Sequence, residues 1–197
     1  MSRPKKHDVR KAIVAAAVRE FTAHGYIHAS LSTIAERAGY TKGAVYSNFS
    51  SKPELFVTAC ETRLDRERTL LLDPIAQTLA EIEGAEELAE RLSTEIARVL
   101  TELAPWQIAV DEFRALARTD KRASAAYEQL MSGRIAIIAD ACSLHRLTQG
   151  RERADIEAFA RGLFALINTL CLETLAVPAD PQANRQALRF FLEGFFS

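Results

Sequence analysis

Between Ser30 and Phe49 the chain reads SLSTIAERAGYTKGAVYSNF, two short helical patterns separated by one glycine. Ser30 stands just ahead of Leu31, Ile34, Ala35 and Ala38, where its hydroxyl is placed to cap a helix start. Gly39 follows Ala38, the position at which a helix closes in a left-handed conformation that side chains disfavour. A second pattern starts at Thr41, another capping residue, and turns Val45 and Phe49 to one side at helical spacing. Ala35 is small enough for a close helix crossing, Gly39 makes the turn, and Val45 plugs the angle between the two helices. This spacing predicts a helix-turn-helix.

The other side of the second helix carries Lys42, Ala44, Tyr46, Ser47 and Asn48, a polar exposure that a core helix does not need but a helix entering a DNA major groove does. Charge agrees. Residues 1–53 hold nine basic side chains against three acidic ones, a net of +6, which leaves −7 for the rest of a chain whose total is −1. A basic module on an acidic body is the asymmetry expected where one end meets phosphate. Taken alone, such a face is equally a solvated surface. The basic arm from Met1 to Lys6, with Pro4, is expected to lie along the phosphates or to fray.

The motifs FTAHGY (Phe21 to Tyr26), IAERAG (Ile34 to Gly39), TKGAVYSNF (Thr41 to Phe49) and SKPELF (Ser51 to Phe56) occur in order within about Ile13 to Phe56, and over that quarter of the chain the sequence resembles the TetR family of bacterial transcriptional regulators. The resemblance implies an all-α protein of about nine helices. In it, a three-helix DNA-binding domain (residues 1–52) is joined by a connecting helix to a helical effector-binding and dimerisation domain (53–197). Carried onto this sequence, it places Ser32, Thr33, Thr41, Lys42, Gly43, Ala44, Tyr46, Ser47, Asn48 and Lys52 at DNA, with Ser32, Thr33, Tyr46 and Lys52 on phosphates. The function implied is a cytoplasmic, homodimeric repressor that leaves a palindromic double-stranded operator when a small apolar or amphipathic ligand binds. The alternatives are a redox-responsive regulator acting through cysteines and a constitutive DNA-binding protein without effector.

With 197 residues, of which 48% are hydrophobic, the body can bury a real core. Ser50, Ser51 and Pro53 predict a connecting helix from Lys52 that breaks at Asp73-Pro74. Helices are then expected over about 75–103, with an interruption at Gly84, and over 106–118, 121–147, 153–177 and 182–196. Pro105, Thr119-Asp120, Gln149-Gly150, Pro178 and Pro181 serve as punctuation. The longest uncharged apolar stretch of the penultimate helix, Gly162 to Leu172, falls short of the ~20 residues of a membrane span, and no membrane partner is expected. Cys60, Cys142 and Cys171 are odd in number and far apart, which predicts reduced thiols and no metal site. No phosphate loop, histidine pair or nucleophile elbow appears, so neither an enzyme nor a cofactor is expected.

The last two helices are the most apolar, through Phe159, Leu163 and Ile167 in one and Leu188, Phe191, Leu192 and Phe195 in the other. A helix apolar around most of its circumference must be covered on several sides, by an intrachain core or by a second copy. The family resemblance favours the second copy. A ligand site is expected from Trp106, Val110, Phe113, Tyr127, Met131, Phe164, Asn168 and Cys171, an apolar set with few polar groups, though each residue also suits plain core.

Overall fold

The computed structural model describes residues 6–176 and 180–197, apart from the side chains of residues 65–67. The basic arm up to Lys5 and the punctuating Pro178 lie outside these residues. The chain is all-α, as expected, and no strand occurs among the described residues. It packs as two compact units, Met1–Asp65 with Ile108–Leu130, and Arg66–Gln107 with Met131–Ser197. The sequence expectation put the boundary after residue 52; the packing instead groups residues 108–130 with the N-terminal helices.

In the first unit α1 (Lys6–His28) contains one residue outside helical geometry, Gly25, at φ 71 and ψ 179. The regular helix therefore ends where the glycine predicts. Ser30 caps α2 (Leu31–Arg37) by accepting the Ser32 N–H, and Thr41 caps α3 (Lys42–Asn48) by accepting that of Ala44. Gly39 takes the left-handed turn at φ 77. Ala35 and Val45 are buried where α2 and α3 cross. Phe21, Tyr26 and Phe56 of α1 and α4 (Lys52–Glu67) form an aromatic cluster with Phe113, ring centroids 4.8 to 5.9 Å apart. That cluster explains why the 108–130 stretch closes with the head.

The helical path does not break at Asp73-Pro74: a π-helical turn, Arg68–Leu72, follows α4 and leads into α5 (Asp73–Glu81), with Pro74 in the first turn of α5. The interruption at Gly84 is present, but Pro105 does not end a helix: α6 runs unbroken from Ala85 to Ala117. Proline forfeits one hydrogen bond there, and complete burial of Ala104 and near-complete burial of Trp106 on either side outweigh that loss.

The helix expected over 121–147 stops earlier, as α7 (Lys121–Ser143), followed by a 3₁₀ turn Arg146–Thr148. Buried His145 enforces the stop: its Nδ1 accepts the Leu147 N–H and its Nε2 lies 2.8 Å from the Ile82 carbonyl. Thr148 closes the turn by donating to the Cys142 carbonyl. Then come α8 (Arg153–Ala176) and α9 (Pro181–Phe196), the latter capped by Asp180. By length and composition α8 is apolar enough to cross a membrane, a test that core helices also pass. Its face from Ile156 to Cys171 packs in the core of this unit against Leu188, Leu192 and Phe195. Glu90 ties α6 to α9 through Arg185 and Arg189.

Candidate functional site

Two α3 faces differ sharply. Val45 is buried, while Lys42, Gly43, Tyr46 and Ser47 are exposed; Tyr46, at 53%, is among the most exposed large hydrophobic side chains. The Lys42 ammonium lies 6.0 Å from the Tyr46 ring centroid, so an aromatic face and a cation share one surface. Gly43 has open space where a Cβ would stand, its nearest neighbour being Thr41 Oγ1 at an ordinary 3.7 Å. The fold does not require a glycine in this helix, where it costs roughly 1 kcal/mol against alanine.

The remaining residues expected at DNA divide into outward and inward groups. Ser32 is exposed and Thr33 half-buried on α2. Thr41 is exposed but its hydroxyl caps α3. Ser47 donates to the Ala44 carbonyl at 2.9 Å, and so does the half-buried Asn48 amide at 2.8 Å, which turns Asn48 back onto its own helix. Ala44 is half-buried.

Lys52 differs most from the sequence expectation. Its ammonium donates to the Ile27 carbonyl at 3.1 Å and sits 4.7 Å from the centre of the Tyr26 ring. Burial pulls its pKa below the ordinary lysine value, against the opposing pull of Glu112 and Glu20. The side chain is engaged inside the head, because the Gly25 turn brings a bare carbonyl within its reach.

Several positioning residues carry no motif. Buried Glu20 pairs with Arg37 at 2.8 Å and with His24 at 3.4 Å, fastening α2 to α1. Arg10 donates to the Asn48 carbonyl at 2.7 Å and lies over the Phe49 ring at 4.1 Å, holding the end of α3. Glu112 accepts the Ile27 N–H at 2.7 Å. An acidic residue deep in a long amphipathic helix, as Glu20 and Glu112 are, gives no local sign of such a task; only charge among apolar neighbours hints at it.

The second unit holds a partly open apolar cavity of about 230 Å³, walled by the π-turn and by α5 to α9. Leu71, Ile75, Leu92, Ile96, Ile138 and Leu163 line it, with Arg68 and Asp73 paired at 3.4 Å and exposed. None of the eight residues expected at the ligand lines this cavity. Val110, Phe113 and Tyr127 belong to the first unit, where Phe113 is spent in the aromatic cluster. Trp106, Met131, Phe164, Asn168 and Cys171 belong to the second, Trp106 and Cys171 deep within it.

Four residues expected at a dimer interface, Phe159, Leu163, Ile167 and Leu192, line the cavity. Leu188 and Phe195 are also buried within the protomer, and half-buried Phe191 packs against Gly162, where a Cβ would come within 2.8 Å of its ring. Their apolar area is already covered in one chain. Phe190, at 65% exposed, and Leu175 are the large apolar side chains these two helices turn outward.

A capped helix-turn-helix with one polar, outward face is the arrangement with which such motifs enter a DNA major groove. Residues 13–59 match the family of bacterial regulatory proteins, tetR family. Over more than nine-tenths of its length the chain is similar in fold to solved transcriptional regulators, the first two of them described as TetR-family. One from Rhodococcus sp. has a TM-score of 0.75 at 20% identity, covering 97% of this chain and 100% of that one. Another from Mesorhizobium loti has 0.74 at 19%, covering 98% and 97%. FadR from Bacillus subtilis in complex with stearoyl-CoA has 0.65 at 18%, covering 92% and 96%. No curated protein matches the sequence. Residues 13–59 thus match the TetR-family model, and the chain has the fold of these solved regulators.

Proposed function

We propose that the protein is a homodimeric transcriptional repressor, cytoplasmic, that binds a palindromic operator through α3 and leaves it when a small apolar ligand occupies the cavity of the second unit. The observation that carries the reading is the outward face of α3. Lys42, Tyr46 and Ser47 stand exposed, and the sterically unneeded Gly43 beside them leaves room for a close approach of the DNA backbone. Two such heads about one helical turn apart, ~34 Å, would read the two halves of a palindrome. A hundred-fold loss of DNA affinity on ligand binding requires a coupling of only ~2.7 kcal/mol.

The FadR relative holds stearoyl-CoA. An acyl thioester of that length suits a larger space than the cavity of about 230 Å³ here, which lies below the ~300–1,000 Å³ range of drug-sized pockets. The redox alternative is disfavoured by the thiols: Cys60, Cys142 and Cys171 are all buried, and burial pushes Cys142 up to about 12. The constitutive alternative is disfavoured by the cavity itself, since a protein without an effector gains nothing from unfilled apolar volume.

The test is selection of bound duplexes from a random pool, followed by anisotropy titration of the selected sequence over a range of salt. A two-fold-symmetric site bound at least 10³-fold more tightly than random DNA is expected. Enrichment of no sequence would overturn the reading.

A further inference from the structure

We propose that the ligand of the second unit is a small, uncharged, hydrocarbon-rich molecule a little larger than benzene, held by apolar contact with no hydrogen bond to a side chain inside the cavity. The inference rests on the repressor reading and gives its ligand a chemical class. Size comes first. A cavity of ~150 Å³ lined by Leu, Ile and Phe stays dry and binds benzene. The cavity here, partly open to solvent, offers about 230 Å³ between walls made mostly of the same residue types, room for such a ring with a short alkyl substituent.

Chemistry narrows the class further. The buried polar side chains of this unit, Thr78, Ser93, Gln107, Arg134, His145 and Thr148, all lie outside the cavity lining. Thr148 donates to the carbonyls of Cys142 and His145, His145 bridges Ile82 and Leu147, and Ser93 donates to the Glu90 carbonyl. Of the three polar side chains in its lining, Cys142, Arg68 and Asp73, the buried one is the Cys142 thiol, which stays protonated because burial raises its pKa to about 12. A carboxylate or ammonium carried inside would give up its hydration and find no partner, a loss no apolar contact returns. Arg68 and Asp73 neutralise one another, and both are exposed to water, so they present no net charge to draw an ionic head group. The π-turn Arg68–Leu72 supplies part of the wall, a backbone form often found where helices serve a site.

The experiment titrates the full-length protein with butylbenzene, benzene and octanoate by calorimetry and by thermal unfolding, with DNA affinity followed separately by anisotropy. Butylbenzene is expected to bind, octanoate at least about ten-fold more weakly, and Arg68→Gln is expected to leave butylbenzene affinity unchanged. Ala141→Phe, which places a ring in the cavity, is expected to abolish binding; should that variant not fold, the octanoate comparison and Arg68→Gln still decide. Octanoate bound as tightly as butylbenzene, and weakened by Arg68→Gln, would overturn the neutral class in favour of an acid-headed chain. Failure of the neutral probes to bind would overturn it outright. Butylbenzene binding with unchanged DNA affinity would support the class and refute the repressor reading instead.

Discussion

Glu112 and Ile27, 85 positions apart in sequence, are joined by a 2.7 Å hydrogen bond in which the carboxylate accepts a backbone N–H. Lys52 holds the carbonyl of the same residue at 3.1 Å, so the turn after α1 is gripped from both sides. Gly25 makes this possible. Its φ of 71 and ψ of 179 belong to a region that is essentially glycine's alone, and a Cβ there would lie 2.6 Å from Glu112 Oε2. Gly25→Ala is expected to cost ~1–3 kcal/mol of stability, read as a lowered Tm. Adding Glu112→Ala should recover only the steric part; full recovery would mean the backbone conformation carries no strain.

Lys52 belongs to that grip, which separates two readings of one substitution. Lys52→Met keeps the apolar stem and removes the ammonium. Because that ammonium is spent on Ile27, the variant is expected to lower Tm while leaving the salt dependence of DNA affinity unchanged. A lysine that contacts phosphate would instead flatten the slope of log K against log salt by ~0.9. A flattened slope would return Lys52 to the backbone-contact role read from its sequence position.

Local features were legible. Ser30, Gly39, Thr41 and Val45 act within a few residues of themselves, so their spacing alone fixes caps, turn and crossing. What the sequence did not reveal depends on partners far along the chain. Lys52 looks like a phosphate clamp until Ile27 is placed beside it, and Glu20 gives no sign of Arg37. Pro105 reads as a terminator because the local cost of proline is visible and the burial that outweighs it is not. Leu71 and Leu72 read as ordinary helix, whereas they lie in the π segment and line the cavity. Phe159, Leu163, Ile167 and Leu192 show the ambiguity of apolar helices, whose sequence states that they must be covered but not by what.

Alkaline pH should destabilise the protein through two raised groups. Burial, with a smaller push from Asp120, lifts Tyr26 from 10.0 to about 12, and burial lifts Cys142 from 9.0 to about 12. Each keeps its proton in the native state where the unfolded chain has lost it. Stability is therefore full below the unfolded values and falls as pH rises from about 9 toward 12. Lys52 works the other way: its lowered pKa makes stability rise with pH until the ordinary value of 10.5, beyond which its contribution is complete. Urea unfolding between pH 8 and 11.5 should show the decline, steepest above 10.5, and Tyr26→Phe should make it shallower. An unaltered decline in that variant would acquit Tyr26.

If two copies associate through the outer faces of the last helices, Phe190 is placed to anchor the contact, since it is 65% exposed while its neighbours Leu188 and Leu192 are fully buried. Phe190→Glu is expected to yield a monomer by size-exclusion with light scattering, with an unchanged helical spectrum. A dimer that survives would move the interface away from this face of α9.

The reading surface of α3 makes the sharpest demand. Tyr46 and Lys42 are exposed, and the contact between them is a 6.0 Å approach of ammonium to ring, so removing either takes little from the folded state. Tyr46→Ala and Lys42→Ala are each expected to leave Tm within about a degree, consistent with surface changes inside ~0.5 kcal/mol. Against the selected operator each should lose ~1–3 kcal/mol of binding, roughly five- to 150-fold. The two should then part company. A Lys42 that reaches a guanine edge shifts sequence preference at one position of each half-site, whereas a Lys42 on phosphate weakens every duplex alike and lowers the salt slope. Titrating both variants against the operator, single-position variants of it and random DNA distinguishes these outcomes. Undiminished operator binding in both would remove α3 from the interface and, with it, the central observation behind a DNA-binding function.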